Sequence, residues 1–302
     1  MPDDGEALDL SKGNRISVTL ILPIFLLSSL LVSSVNVRGA SPIFFGSASS
    51  ATPCTSQFTS CPSTLSWSHA VGVTLSGLEG ILIVSVFAGT SPITSLKTVT
   101  GIKYGASALT FIGSHVVPAG GNQGAGDLEM WSLLNPPPGT ASVDVTLAGS
   151  DYAVFAGSVS YFDVGGTHAF SGADGGSTLP SLAVNANSGD LVVDAVVMAV
   201  AFGHLAFTPS PGSMQTSRWS SSGTVPYVED LFVGGSDQPA SSPVTMTWTT
   251  IAEISGWMQV AVALTPQQPA IVPEYPLGLP LLAVFMIVGY GLIRRRTSKD
   301  SV

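Results

Sequence analysis

The residues able to do chemistry are few, and their spacing is the first thing to weigh. Glycoside hydrolysis needs two carboxylates facing each other across a substrate. The nearest approaches are Asp127 with Glu129, and Glu229 with Asp230. Asp127 and Glu129 lie two apart, so on a strand both face one side. Trp131 and Leu133 continue that face, which places the acids at a strand end as solvated rim carboxylates. Serine hydrolase chemistry needs a histidine base and an acid. His69, His115, His168 and His204 are scattered, and Gly-x-Ser-x-Gly does not occur. Gly124-Ala125-Gly126 reads as a turn, because neither a helix nor a lysine follows to make a phosphate cradle. We therefore expect no enzyme.

Binding chemistry is better represented. Sugar rings lay their apolar faces on aromatic platforms beside polar groups. Trp219 stands in a Ser-rich stretch next to Arg218, with Tyr227 following, and these three form the expected ligand platform. Trp67, Trp131, Trp248 and Trp257 lie in strand patterns and are expected in the core. The sequence calls for no cofactor. The one ion with candidate ligands is a structural Ca²⁺, held by Asp163, Asp174 and Asp237 in Gly-rich loops, although no Asp-x-Asp-x-Asp pattern is present. Cys54 and Cys61 are the only cysteines. In an oxidising compartment they form a short-loop disulfide; otherwise they are two free thiols in a linker. Their spacing does not fit a zinc site.

The elements that must position these residues are strands. Val143, Val145 and Leu147 alternate with polar neighbours, as do Val244, Met246 and Trp248. Met258, Val260, Val262 and Leu264 keep the same period of two. Ile81 to Phe87, Tyr152 to Phe162 and Leu191 to Val200 are continuous apolar runs, as in central strands. Gly120-Gly121-Asn122, Asn135-Pro136-Pro137-Pro138-Gly139, Gly165-Gly166, Gly175-Gly176 and Gly234-Gly235 read as turns. The expected fold is all-β, a two-sheet antiparallel jelly-roll sandwich over residues 65–266. An N-terminal signal helix and a C-terminal transmembrane helix flank it.

Both ends point to a membrane. Lys12 and Arg15 precede an apolar run from Ile16 to Val35, the pattern of a secretory signal with cleavage after Gly39, or of an uncleaved anchor. Residues 40–64 then form a linker with the cysteine pair, and 267–276 a stalk. Residues 277–293 are apolar and long enough to span a bilayer. Arg294, Arg295 and Arg296 open a basic cytoplasmic tail, residues 294–302, which places the body outside. The chain has 302 residues, a net charge of −9 and only 10% charged residues. Between Ala51 and Pro266 the only basic residues are Lys97, Lys103 and Arg218. With no basic patch to release counterions from a phosphate backbone, nucleic acid is excluded as a partner.

Val272-Pro273-Glu274-Tyr275-Pro276, an apolar run and an Arg cluster together resemble the C-terminal sorting signals of the PEP-CTERM type and their archaeal relatives. That resemblance implies a partner, an exosortase- or archaeosortase-like membrane enzyme recognising Pro273 and Glu274. A plain tail anchor is the alternative. The body has its own likeness. Trp67-Ser68-His69, Gly80-Ile81-Leu82-Ile83-Val84 and Ile102-Lys103-Tyr104-Gly105 stand in an order also met in a secreted bacterial and archaeal domain. Leu128-Glu129-Met130-Trp131, Asn135-Pro136-Pro137 and Gly189-Asp190-Leu191-Val192-Val193-Asp194 continue it. It resembles lectin-like or carbohydrate-binding-module-like jelly rolls, and it implies fold and surface location without catalytic residues. The expectation is a membrane-anchored cell-surface protein whose sandwich serves adhesion, ligand binding or envelope structure, with a glycan or surface-layer partner. A surface-displayed polysaccharide hydrolase is the alternative.

Overall fold

The computed structural model describes residues 42–55, 61–73, 80–89, 98–118, 126–149, 153–176, 179–203, 208–225, 229–241, 243–268 and 284–290. The strands β1 (Phe44–Ser50), β2 (Cys54–Thr55), β3 (Thr64–Val71), β4 (Gly80–Gly89), β5 (Val99–Tyr104), β6 (Ser107–Ala108), β7 (Thr110–Val117), β8 (Gly126–Leu134), β9 (Gly139–Leu147) and β10 (Ala153–Phe162) come first. They are followed by β11 (Val164–Gly175), β12 (Ser181–Val184), β13 (Leu191–Ala201), β14 (Ser210–Pro211), β15 (Thr216–Val225), β16 (Glu229–Pro239), β17 (Val244–Thr249) and β18 (Ile254–Pro266). All pairings are antiparallel, so the all-β expectation holds.

The strands form four sheets rather than two. One six-stranded sheet runs β1-β10-β4-β8-β7, with β2 added on β10, and a four-stranded sheet runs β3-β9-β5-β6. A five-stranded sheet runs β11-β18-β13-β16-β15, and a three-stranded sheet runs β12-β17-β14. The second pair repeats the first, with β1, β3, β4, β5, β7, β8, β9 and β10 answered in turn by β11 to β18. Register agrees as well. Ile81 lies opposite Tyr161 and Leu134, and Val193 opposite Val262 and Asp237. The single sandwich over 65–266 is thus corrected to two, each a larger sheet covered on its outer face by a smaller one. The first begins at Phe44, inside the stretch read as a linker, because β1 supplies the edge partner of β10.

The two larger sheets face each other. Their shared core takes Ile81, Phe87, Met130, Phe155 and Tyr161 from one and Val193, Val197, Val233, Met258 and Val262 from the other. A second core lies between the six- and four-stranded sheets, around Leu82, Val84, Ile102, Val143 and Val145. Two smaller clusters fill the second sandwich, around Val184, Val192 and Met246, and around Met198, Trp248 and Ile254. Both larger sheets are therefore covered on both faces. That is why β4, β10, β13 and β18 are apolar nearly throughout, while β3, β5, β9 and β17 alternate. At the rims β1 lies beside β15, and β7 beside β11. Since β1 answers β11 and β7 answers β15, these contacts are reciprocal, as across a twofold axis.

Two turn expectations change with this packing. Gly234-Gly235 lies in mid-strand in β16, and Gly165-Gly166 lies within β11. A Cβ at Gly235 would stand 2.3 Å from the Trp219 indole, and one at Gly234 2.9 Å from the Phe232 ring. The glycines make room for rings. Cys54 and Cys61 are joined as a disulfide. Residues 284–290 form a helix, and among the described residues no helix is long and apolar enough to cross a membrane.

Candidate functional site

Arg218 and Trp219 are neighbours on β15, so their side chains leave opposite faces of the strand's local pleat, here displaced by a bulge between Ser217 and Trp219. Neither makes a platform. Trp219 is 6% exposed and belongs to the core between the larger sheets. Its ring fills the space left by Gly157 of β10, where a Cβ would stand 2.2 Å away. This corrects the expectation of an exposed ring. Composition could not show it, because the Ser-rich flank of Trp219 belongs to an edge strand whose other face is covered.

Arg218 instead ties the two sandwiches together. Its Nε and one terminal nitrogen donate to the two Asp237 oxygens at 2.6 and 2.9 Å. Tyr161 of the opposite sheet donates its hydroxyl to the same carboxylate at 2.7 Å. The guanidinium lies 4.0 Å from the Phe45 ring centroid, and Phe45 meets Tyr161 edge to face. Tyr161 is fully buried, and burial, together with the Asp237 charge, pushes its phenol well above the usual range. Tyr227, the third member of the expected platform, lies outside the described residues.

The carboxylates expected on the rim are buried. Glu129 is 4% exposed and Asp127 2%. Glu129 accepts the Val99 backbone N–H through Oε1 and the Trp131 indole N–H through Oε2, each at 2.8 Å. Asp230 answers Asp127 in the second sandwich, since both start the corresponding strand. It accepts from Gly203 N at 2.9 Å and Thr224 Oγ1 at 2.6 Å. Glu229 is buried with Oε2 lacking a partner among the described residues, and desolvation raises its carboxyl to about 7. Asp127, Glu229 and Asp230 stand at the starts of their strands, Glu129 lies within β8, and all four are buried.

The calcium candidates do not converge. Asp174 pairs with His115 at 2.7 Å across the β7–β11 rim, Asp237 is taken by Arg218 and Tyr161, and Asp163 marks the junction between repeats. Among the described residues no group of three or more His, Cys, Asp or Glu is placed to hold a metal. His168 pairs with Asp190 at 2.7 Å, and His204 lies outside the described residues.

Each sandwich also holds a buried polar knot that sequence reading missed. In the first, His69 Nδ1 meets the hydroxyls of Ser49 and Ser158 at 2.9 Å, and Nε2 meets Ser47 at 3.2 Å. Trp67 donates to Ser158 Oγ at 3.0 Å. Burial lowers His69 to about 4, so the ring is neutral and bonded only to hydroxyls. In the second, Asp194 accepts from Trp248 Nε1 at 2.8 Å, Gln259 Nε2 at 2.7 Å and Ser236 N at 2.9 Å. Burial outweighs these donors and raises Asp194 to about 6. Ser158 and Gln259 hold matching positions, opposite Val84 and Val196. A polar residue inside an apolar run, such as Asp194, was the available signal.

One groove open to solvent, of about 600 Å³, lies on the first sandwich and is lined by Thr100, Gly101, Lys103, Trp131, Asp144 and Thr146, among others. Trp131 is half-buried there, and the partly exposed Phe111 meets it edge to face at 5.2 Å. Trp131, expected in the core, is thus the ring that borders a groove. Asp144 accepts from Ser66 at 2.7 Å and Ser142 at 2.6 Å. Those donors, with a smaller contribution from Lys103, hold its carboxyl below the usual range.

No family model, curated protein or solved structure matches this chain. Fold and site together define an all-β protein of two repeated sandwiches with a disulfide near its first strand. Pro273 and Glu274, expected as a sorting motif, and Arg294, Arg295 and Arg296 lie outside the described residues.

Proposed function

We propose that this is a cell-surface protein, anchored at a membrane through residues 277–293, whose paired sandwiches bind a ligand or serve adhesion or envelope structure outside the cell. One observation supports it most. The helix at 284–290 presents Phe285 at 45%, Met286 at 66%, Ile287 at 71% and Val288 at 53% exposure. Water disfavours such a run, and a bilayer would cover it. The disulfide and the Lys/Arg-poor body fit an exported compartment. Within each repeat the larger sheet takes strands in the order first, eighth, third, sixth, fifth, and the smaller in the order second, seventh, fourth. This resembles jelly-roll order except at the fifth strand, which pairs with the sixth in the larger sheet rather than with the fourth in the smaller, and the likeness supports an extracellular binding module.

Truncation before Leu277 tests the anchor. Release into the medium is expected, and retention in the membrane fraction would refute it. Mass spectrometry of the mature C-terminus then separates processing at Pro273-Glu274 by a sorting enzyme from an intact span.

A further inference from the structure

We propose that the groove bordered by Trp131 binds a neutral saccharide, and that only the first sandwich carries such a site. The proposal rests on the ligand-binding reading above and gives it a location and a ligand class.

The indole of Trp131 is aimed before any ligand arrives. Its N–H is taken by the buried Glu129, whose other oxygen holds the Val99 N–H at the entry to β5. Phe111 braces it from the side. The half-buried ring borders the groove, and an indole offers a π surface on which the C–H groups of a pyranose stack. Around it are hydroxyl, carboxylate and ammonium groups at Thr100, Thr146, Asp144 and Lys103. Asp144 stays ionised and so accepts from sugar hydroxyls, while Lys103 donates. Their charges cancel, and the body around them is acidic, so the groove selects against polyanions and suits uncharged sugars. Gly101 lines the groove, and a Cβ there would meet nothing within 4 Å.

The repeat supplies an internal comparison. If the Glu129–Trp131 unit were a requirement of the fold, the second sandwich would keep it. There Phe232 stands at the position of Glu129 and Gly234 at that of Trp131, with Trp248 and Phe232 packed against Gly234. The second copy fills the space with core rings. The first keeps a ring pinned by a buried carboxylate and open on one side.

The test uses the full chain in a sugar-free detergent, titrated with cellotetraose, chitotetraose and mannotetraose by calorimetry. At least one should bind with Kd below about 1 mM, and both Trp131→Ala and Gly101→Gln should weaken it at least about tenfold. Gly101→Gln fills the groove without a clash, so its melting temperature should stay near that of the parent and keep the test valid if Trp131→Ala folds poorly. Silence from all three sugars up to about 10 mM, or unchanged binding by Gly101→Gln, overturns the proposal. Surface location is read separately on cells, so failure of the anchor leaves this result standing, and the reverse.

Discussion

Trp219→Ala separates a core ring from an exposed platform most directly. The ring is 6% exposed and lies against Gly157 of the opposing sheet and Gly235 of its neighbouring strand. Truncating a buried Trp costs about 3–5 kcal/mol, the lost transfer energy plus the cavity. At about 2–4 °C per kcal/mol for a body of this size, the melting temperature should fall by roughly 6–20 °C. The geometry predicts a coupling as well. A methyl at Gly157 would stand 2.2 Å from the indole, so Gly157→Ala alone should cost about 1–3 kcal/mol by overpacking. With the indole gone, the methyl enters the vacated space and that cost should largely disappear. A double-mutant cycle by urea denaturation should therefore give a coupling of at least about 1 kcal/mol. Additive effects, or a cost below about 1 kcal/mol for Trp219→Ala, would refute the placement of the ring between the sheets.

The remaining predictions concern buried charge. Asp237→Asn leaves Arg218 without its buried counter-charge and should cost about 3–5 kcal/mol, against roughly 1 kcal/mol for Tyr161→Phe; equal costs in chemical denaturation would contradict the shared-carboxylate geometry. His69, lowered to about 4, is neutral in the fold, so its contribution is fully present above its ordinary value near 6.5. Below that it is lost by about 1.4 kcal/mol per pH unit until the folded value is reached. Glu229 and Asp194, raised to about 7 and about 6, act with the opposite sign: each favours the fold as pH falls through its raised value towards the ordinary carboxylate range. Relative to the parent, Glu229→Gln should thus gain stability at pH 8 and lose that advantage by pH 4.5, read from denaturation midpoints at fixed salt. An advantage that is constant with pH would mean that Glu229 titrates normally.

How far these sites were legible in the sequence varies by residue. Period-two alternation in β9 and β17 exposed one covered face, and the cysteine spacing put a disulfide within reach. The continuous runs in β4, β10 and β13 carried more than was read from them. A strand apolar on both faces needs a layer on each side, and three such runs in one chain call for internal sheets. The duplication escaped because the repeats share register and strand order but few residues, and their loops differ in length. Asp127-Leu128 and Asp230-Leu231 are among the rare sequence echoes. The carboxylates were misplaced because adjacency along a strand shows which acids share a face and not what covers it. Asp127 and Glu129 do share one, and the four-stranded sheet lies over it.

The sequence alone determined the class of structure: many strands, little positive charge in the body, and apolar segments near both ends. These follow from composition and local periodicity, which every short window carries. Tertiary structure decided which faces meet. It buried Trp219, turned Arg218 inward to Asp237 and Tyr161, and left Trp131 bordering the open groove. A ring's exposure depends on strands distant in sequence that pack over it, and that information is not local.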